Sequence, residues 1–237
     1  MIAVRPPEYF PRLAYFALMD ASERFVLADT FQYSRQSYQN RARLRTPRGW
    51  QWVSVPLRGG QHGRPIRAVE IEPRRDWMGK HRRAFMYNYR STPFFEYYEP
   101  DFEPLFAGTW THLADLTCAT VALVARLLGI RTPLLRASGL PGAPDTLPGV
   151  LAATGADVLL VPEEAAAHDV PLAPSARVLR YETPPYRQNF SGFEPDVSAV
   201  DLLFNYGPEA LAVLRLDRRR SPSSGRVSHF GPGEGGR

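Results

Sequence analysis

The chain reads as an α/β protein, a layered sheet of mixed or mostly parallel strands flanked by helices, with a small antiparallel excursion at about 40–72. Three observations point there. Strand-like and helix-like runs alternate in both halves of the chain. The first thirty residues hold a β–α–β pattern. The second half carries a continuous apolar run, Val158–Val161, as a buried strand requires.

In chain order, Ile2 and Val4 mark a short apolar strand. Pro11 suits a first helical turn, and Leu13, Phe16 and Ala17 then share one helical face. "RFVLADTF" supplies the second strand. "WQWVSVPL" and "IRAVEIEP" both alternate, on either side of the flexible "GGQHGRP" loop. Asp76 is placed to cap a helix whose face is Trp77, His81, Phe85 and Tyr89. A further helix runs from about Thr111 to Leu128 and stops at Gly129. "TPLLRASGL" leads from a strand into a loop, and "PGVLAATGADVLLVP" gives a short helix, a glycine turn and a strand. "ARVLRYET" adds another strand. "SAVDLLFNYGPEALAVLRL" closes the folded part as one helix, or as two joined near Gly207-Pro208.

Residues 1–216 are expected to form one domain, with the Gly/Pro-rich segment 138–149 as a mobile loop or a boundary between two lobes. Residues 217–237 have little to bury and are expected to be a disordered basic tail. The net charge of +5 is concentrated there: five Arg stand against Asp217 and Glu234, leaving only +2 on the body. Lys80 is the sole lysine, so the arginines reflect a general bias and a nucleic-acid partner is not expected.

Cys118 is the one cysteine, in an apolar setting, which fits a reducing, cytoplasmic compartment. No run reaches the roughly 18 apolar residues of a membrane span, and the first ten residues lack signal-peptide character. Walker, GxSxG and HExxH motifs are all missing, so no metal or organic cofactor is demanded by the residues. His81 fits a hydrogen-bonded core histidine; on a face lining a cleft it would serve as a general base.

"FQYSRQSYQNRARLR" (31–45) interleaves aromatics, amides and guanidinium groups. As a strand it places Phe31, Tyr33, Arg35, Ser37, Gln39, Arg41 and Arg43 on one face, and neither face is cleanly apolar. Such donors beside aromatic rings suit a ligand rich in hydroxyls or phosphates; the plainer reading is an irregular edge strand with solvated arginines.

Five segments in order, "RPPEYFPRLAYF", "FVLADTFQYSRQSYQNRARL", "WVSVPL", "WMGKHRRAFMYNYRSTPFFEYY" and "AVDLLFNYGPEA", resemble the WbqC-like family over Ile2 to about Leu214. The family is associated with bacterial surface-polysaccharide (O-antigen-like) gene clusters, and some members are proposed to transfer an aminoacyl group onto amino sugars. The resemblance implies a transferase acting on a sugar nucleotide or an activated acyl or aminoacyl donor. The alternative is a non-catalytic glycan-pathway binding or scaffold protein. Carried over by position, the matched polar residues are Asp29, Gln32, Asn40, Arg41, Arg43, His81, Tyr89, Tyr186, Gln188, Asp201 and Asn205. His81 and Asp29 are the implied catalytic pair, with Gln32, Asn40, Arg41, Arg43, Tyr89, Tyr186, Gln188 and Asn205 binding substrate. Arg5, Thr30 and Ala42 depart from the family pattern, as do Thr146–Pro148 and Val161–Pro162. Those departures imply a different substrate from typical members, or reduced or lost activity.

Overall fold

The computed structural model describes residues 1–73, 76–166 and 175–216; the expected tail at 217–237 lies outside the described residues. The chain begins with strand β1 (Ile2–Arg5), helix α1 (Leu13–Ala21) and strand β2 (Arg24–Leu27). A hairpin follows, β3 (Arg41–Thr46) with β4 (Gly49–Ser54), and then three helices: α2 (Trp77–Tyr89), α3 (Phe95–Ala107) and α4 (Leu113–Leu127). The chain returns through β5 (Leu134–Arg136), α5 (Leu147–Thr154), β6 (Leu159–Pro162), α6 (Glu163–Ala166) and β7 (Ala176–Leu179). It finishes with α7 (Val200–Tyr206) and α8 (Ala210–Leu214), joined by a tight turn at Gly207–Glu209.

The main sheet is parallel, in the order β5-β2-β1-β6-β7, and β3–β4 form a separate antiparallel pair. The expected α/β class with its antiparallel excursion is therefore what the chain adopts. Successive residues feed opposite faces, as strand geometry demands. Ala3, Phe25, Leu27 and Leu160 enter a large core with α1, α2, α3, α4 and α7. Ile2, Val26, Leu159 and Val161 enter a smaller one with Ala137 and with Val150 of α5. Burial on both faces is why these strands read as unbroken apolar runs.

Three local expectations are corrected. Residues 31–40 are a looped segment, and the strand begins only at Arg41. Ser37 Oγ donates to the Ser34 carbonyl and Gln39 Oε1 accepts from the Ser34 amide, so side chains supply partners that a sheet would otherwise provide. "IRAVEIEP" forms a 3₁₀ turn at Ile66–Ala68 and isolated bridges, Leu57 with Ile71 and Glu70 with His112. Helix α1 starts at Leu13, two residues after Pro11, because the Pro11 carbonyl accepts from the Ala199 amide at 2.9 Å.

Helix α3 had no counterpart in the sequence pattern. Pro100 and Pro104 lie inside it, yet both are exposed, so the missing amide bonds fall where water reaches the orphaned carbonyls. Its buried residues, Phe95, Tyr98, Phe102 and Leu105, keep helical spacing and pack in the large core.

Candidate ligand cleft

The crossover from β2 to β5 carries the hairpin and three helices, and a cleft of about 450 Å³ opens beside the hairpin. One wall is the 33–40 loop and the other is the chain leaving β4. Tyr33 and Asn40 join the walls: the Tyr33 hydroxyl donates to Asn40 Oδ1 at 3.2 Å, and Asn40 Nδ2 donates to the Val55 carbonyl at 3.0 Å. The Val55 amide returns to the Asn40 carbonyl at 2.8 Å.

The rim is the Gly59–Gly60 turn, where Gly60 has φ 72° and a side chain would be strained. Gln61 holds that turn from beneath, giving Nε2 to the Gly59 carbonyl at 3.0 Å and accepting from the Glu70 amide at 3.0 Å. Arg35, Arg58 and His62 line the cleft, and among the described residues no carboxylate does. Glu70 pairs with Arg58 at 2.9 Å and with Arg64 at 3.6 Å from outside the lining, which sets the loop and offsets part of the Arg58 charge, leaving Arg35 and the remaining Arg58 donors toward the interior. Two arginines and exposed glycine amides in a concave site favour a phosphate or carboxylate.

Of the sequence-predicted site residues, only Asn40 lines this cleft. Gln32 is exposed beside it, bridged to Pro65, with its amide nitrogen 3.8 Å from where a side chain on Gly63 would begin. Asp29 is buried at the carboxyl edge of the sheet, accepting from the Ser138 amide at 2.9 Å and from the Ser138 hydroxyl.

His81 lies behind the cleft. Its Nδ1 is 2.9 Å from the Tyr9 hydroxyl, Trp77 meets the ring edge-on, and the ring hydrogen-bonds the Ser54 backbone. Burial pushes the imidazole down to about 4, against that backbone bond, so at neutral pH the ring carries no charge.

Arg41 and Arg43 point instead into an aromatic ladder. Arg43 sits 4.2 Å from the Trp50 ring centre and 4.9 Å from that of Trp52, while Arg41 covers Trp52 at 4.2 Å and Arg12 covers Tyr38 at 4.2 Å. Asp196 joins the two ends, 3.2 Å from Arg12 and 3.8 Å from Arg43. The register explains this stack: Arg43 faces Trp52 directly across the hairpin and Arg45 faces Trp50.

Tyr89, Tyr186, Gln188, Asp201 and Asn205 form a third group, an interior network. Tyr186 donates to Asp201 Oδ2 at 2.8 Å, Gln188 Nε2 reaches the Tyr186 hydroxyl at 3.3 Å, and Asn205 donates to the Asp201 carbonyl at 2.7 Å. Its centre is Arg45, 1% exposed, which gives Nε to Gln188 and two donors to the Gly49 and Ser191 carbonyls, while its amide donates to the Tyr89 hydroxyl. Burial pushes Asp201 up to about 6, opposed by Tyr186, Arg45 and Gln188.

Sequence reasoning thus missed Arg35, Arg45, Arg58 and His62. Arg45 continues the alternate-residue series of Arg41 and Arg43 along the strand, the one signal that could have singled it out. Arg58 and His62 flank the "GG" already read as a loop.

Among the described residues, no group of three His, Cys, Asp or Glu side chains is placed to hold a metal ion, and no helix is long and apolar enough to cross a membrane. The chain is 29% identical over 240 residues to Rv1507c, an uncharacterized protein of Mycobacterium tuberculosis (strain ATCC 25618 / H37Rv), covering 92% of this chain and 99% of that one. No solved structure gives a significant match. Residues 6–213 match the WbqC-like protein family, which contains four of the five resembling segments whole and all but the opening Arg5 of the other, and the chain belongs to that family.

Proposed function

We propose that the protein is a transferase of bacterial surface-polysaccharide or related metabolism, and that its cleft holds the phosphate of an activated donor, a sugar nucleotide or an acyl or aminoacyl phosphate ester. The observation carrying this reading is the cleft of about 450 Å³ that gathers Arg35, Arg58, His62, Asn40 and the Gly59–Gly60 turn, with no carboxylate in its lining among the described residues. The family's name, taken from a gene of an O-antigen cluster, supplies the metabolic setting.

In such a transfer the bond from the donor's carbonyl or anomeric carbon to a phosphate oxygen breaks. That oxygen keeps the electron pair, and Arg35 and Arg58 stabilise its charge. The acceptor's nitrogen or oxygen bonds the carbon and releases a proton to a base. Gln32 at the mouth and Asn40 within orient the donor's hydroxyls or amide. His81 acts as a positioning residue, fixing Tyr9 and the Ser54–Val55 wall against which the donor rests.

A non-catalytic binding protein is the second reading. It is favoured by the engagement of both implied catalytic groups, His81 with Tyr9 and Asp29 with Ser138.

Calorimetric titration with a panel of UDP-sugars and with pyrophosphate, beside an assay of donor consumption, separates the two. The transferase reading expects binding that weakens about tenfold or more in Arg58→Ala, the loss of one charge-assisted hydrogen bond, together with donor turnover when acceptors are supplied. Binding without turnover across the acceptor panel leaves the second reading, and no binding of any phosphate ester overturns both.

A further inference from the structure

The transfer proposed above needs a group that takes the acceptor's proton while Arg35 and Arg58 hold the departing phosphate oxygen. Such a base must stand in the same cleft, have no other partner and be able to accept a proton near neutral pH. Most of the lining fails on one of these counts. Arg35 and Arg58 keep their protons. Asn40 and Gln61 are side-chain amides already engaged with the backbone. Tyr33 donates to Asn40, and burial raises the pKa of its hydroxyl, so it stays protonated. Glu70 stands outside the lining, paired with Arg58 and Arg64.

The two catalytic groups implied by the family resemblance are occupied elsewhere. His81 spends its ring on the Tyr9 hydroxyl and the Ser54 backbone. Both oxygens of Asp29 accept from Ser138. Neither side chain lines the cleft.

His62 meets every requirement. It lines the cleft and is exposed, and among the described residues its ring has no hydrogen-bond or ionic partner. Histidine is also the residue type most often used for this task. The backbone beneath the ring is fixed. The Arg64 amide donates to the Gln61 carbonyl at 3.3 Å, closing a four-residue turn with His62 and Gly63 at its centre. Gly63 takes φ 82°, which suits a glycine in the third position of a type II turn. Gln61 Oε1 pins the near side of the turn, accepting from the Glu70 amide at 3.0 Å and from Arg64 Nη1 at 3.1 Å. The Tyr33 amide donates to the Arg64 carbonyl at 2.9 Å and ties the far side to the opposite wall. The imidazole is thus a free side chain on a held turn. Gln32 stands beside it, its amide nitrogen 3.8 Å from where a Cβ on Gly63 would lie.

We propose that His62 is the general base of the transfer, an assignment that rests on the transferase reading of the same cleft. The acceptor's N–H or O–H bond breaks and its proton passes to the unprotonated ring nitrogen of His62. The electron pair so released forms the bond to the donor carbon as the bond from that carbon to the phosphate oxygen breaks. Because His62 is exposed, the imidazolium returns its proton to bulk water before the next turnover. Gln32 donates to the acceptor and holds it beside the ring.

The test compares full-length wild type, His62→Gln and His62→Ala, with UDP-glucose, UDP-N-acetylglucosamine and acetyl phosphate as donors and D-glucosamine as acceptor. Both variants are expected to bind donor within about twofold of wild type, which also shows that they fold, while kcat falls about a hundredfold or more. Imidazole added to His62→Ala is expected to restore turnover about tenfold or more, a response that a merely structural role would not give. The same addition should leave Arg58→Ala unchanged. Turnover near the wild-type level in His62→Gln overturns the base assignment and leaves the transferase reading standing. So does a loss of turnover that imidazole does not relieve, or one accompanied by an equal loss of donor affinity. A wild type that consumes none of the donors overturns both.

Discussion

Arg45 and Gln188 stand 143 residues apart in sequence and are joined by a 2.9 Å hydrogen bond from Nε to Oε1. The pair fastens the 186–198 segment over the hairpin, and Asp201, Tyr186 and Tyr89 complete the enclosure around it. A guanidinium this deeply buried is tolerated because carbonyl and amide oxygens satisfy it on every side.

Arg45→Ala is expected to lower unfolding stability by about 3 kcal/mol or more, since it leaves several buried acceptors without a donor. Arg48→Ala, at the exposed turn of the same hairpin, is expected to change it by less than about 0.5 kcal/mol. Urea unfolding of both variants checks this; equal losses would show that Arg45 is no more structural than its neighbour.

The carboxyl of Asp201, pushed up from 3.8 to about 6, gives a pH signature. Because the folded state holds that proton more tightly than the unfolded state, the stabilisation is complete below about pH 4 and is lost as pH rises through 6. Asp201→Asn cannot titrate, yet its amide oxygen still accepts from Tyr186. The stability of the wild type relative to Asp201→Asn should therefore fall by about 3 kcal/mol between pH 4 and pH 8. Parallel pH profiles for the two proteins, measured by chemical denaturation, would exclude the shift.

Gly207 separates α7 from α8 with φ 54° and ψ −126°, and an added Cβ would lie 2.5 Å from the Phe94 ring. Gly207→Ala combines backbone strain with a clash in the aromatic core and is expected to cost about 2 kcal/mol or more. Gly60→Ala, with positive φ but open space around it, should cost about 1 kcal/mol. Melting temperatures of the two variants give the comparison.

Trp52 touches Arg41, Arg43, Tyr38 and Trp50. Trp52→Ala is expected to destabilise the chain by about 2 kcal/mol through lost ring burial and cation–π contacts, while phosphate-ester affinity stays within about twofold of wild type. Loss of that affinity in a folded Trp52→Ala protein would make the ladder, rather than the cleft, the ligand surface.

The parallel sheet was legible because its strands are covered on both faces and announce themselves as apolar runs, Leu159–Val161 above all. The hairpin was legible from Trp50, Trp52 and Ser54 alternating with Gln51 and Val53. Helix α3 was not, since prolines at 100 and 104 signal a break and only the solvent position of both makes them tolerable. For the site, residue type singled out polar groups, but it carries no information on which cleft, ring stack or interior each side chain enters. Asn40, Arg41 and Arg43 are neighbours in sequence, yet one lines a cleft and two stack on indoles. Arg58 and His62 escaped notice because a glycine-rich loop gives no periodicity from which to infer a direction.

The closing segment after β7 has a consequence for how the chain is born. Ser198 donates to the Arg43 carbonyl, Ala199 to that of Pro11, and Phe94 to that of Phe204, so the hairpin and the helical layer lean on residues made after every strand of the sheet. A ribosome-bound chain lacking them can assemble β1 and β2 around α1, but the aromatic interior around Phe85 and Phe102 stays open until Phe204 emerges. We expect nascent chains halted at residue 185 to remain protease-sensitive across the hairpin, and the hairpin to become protected only once the segment through Phe204 has been made.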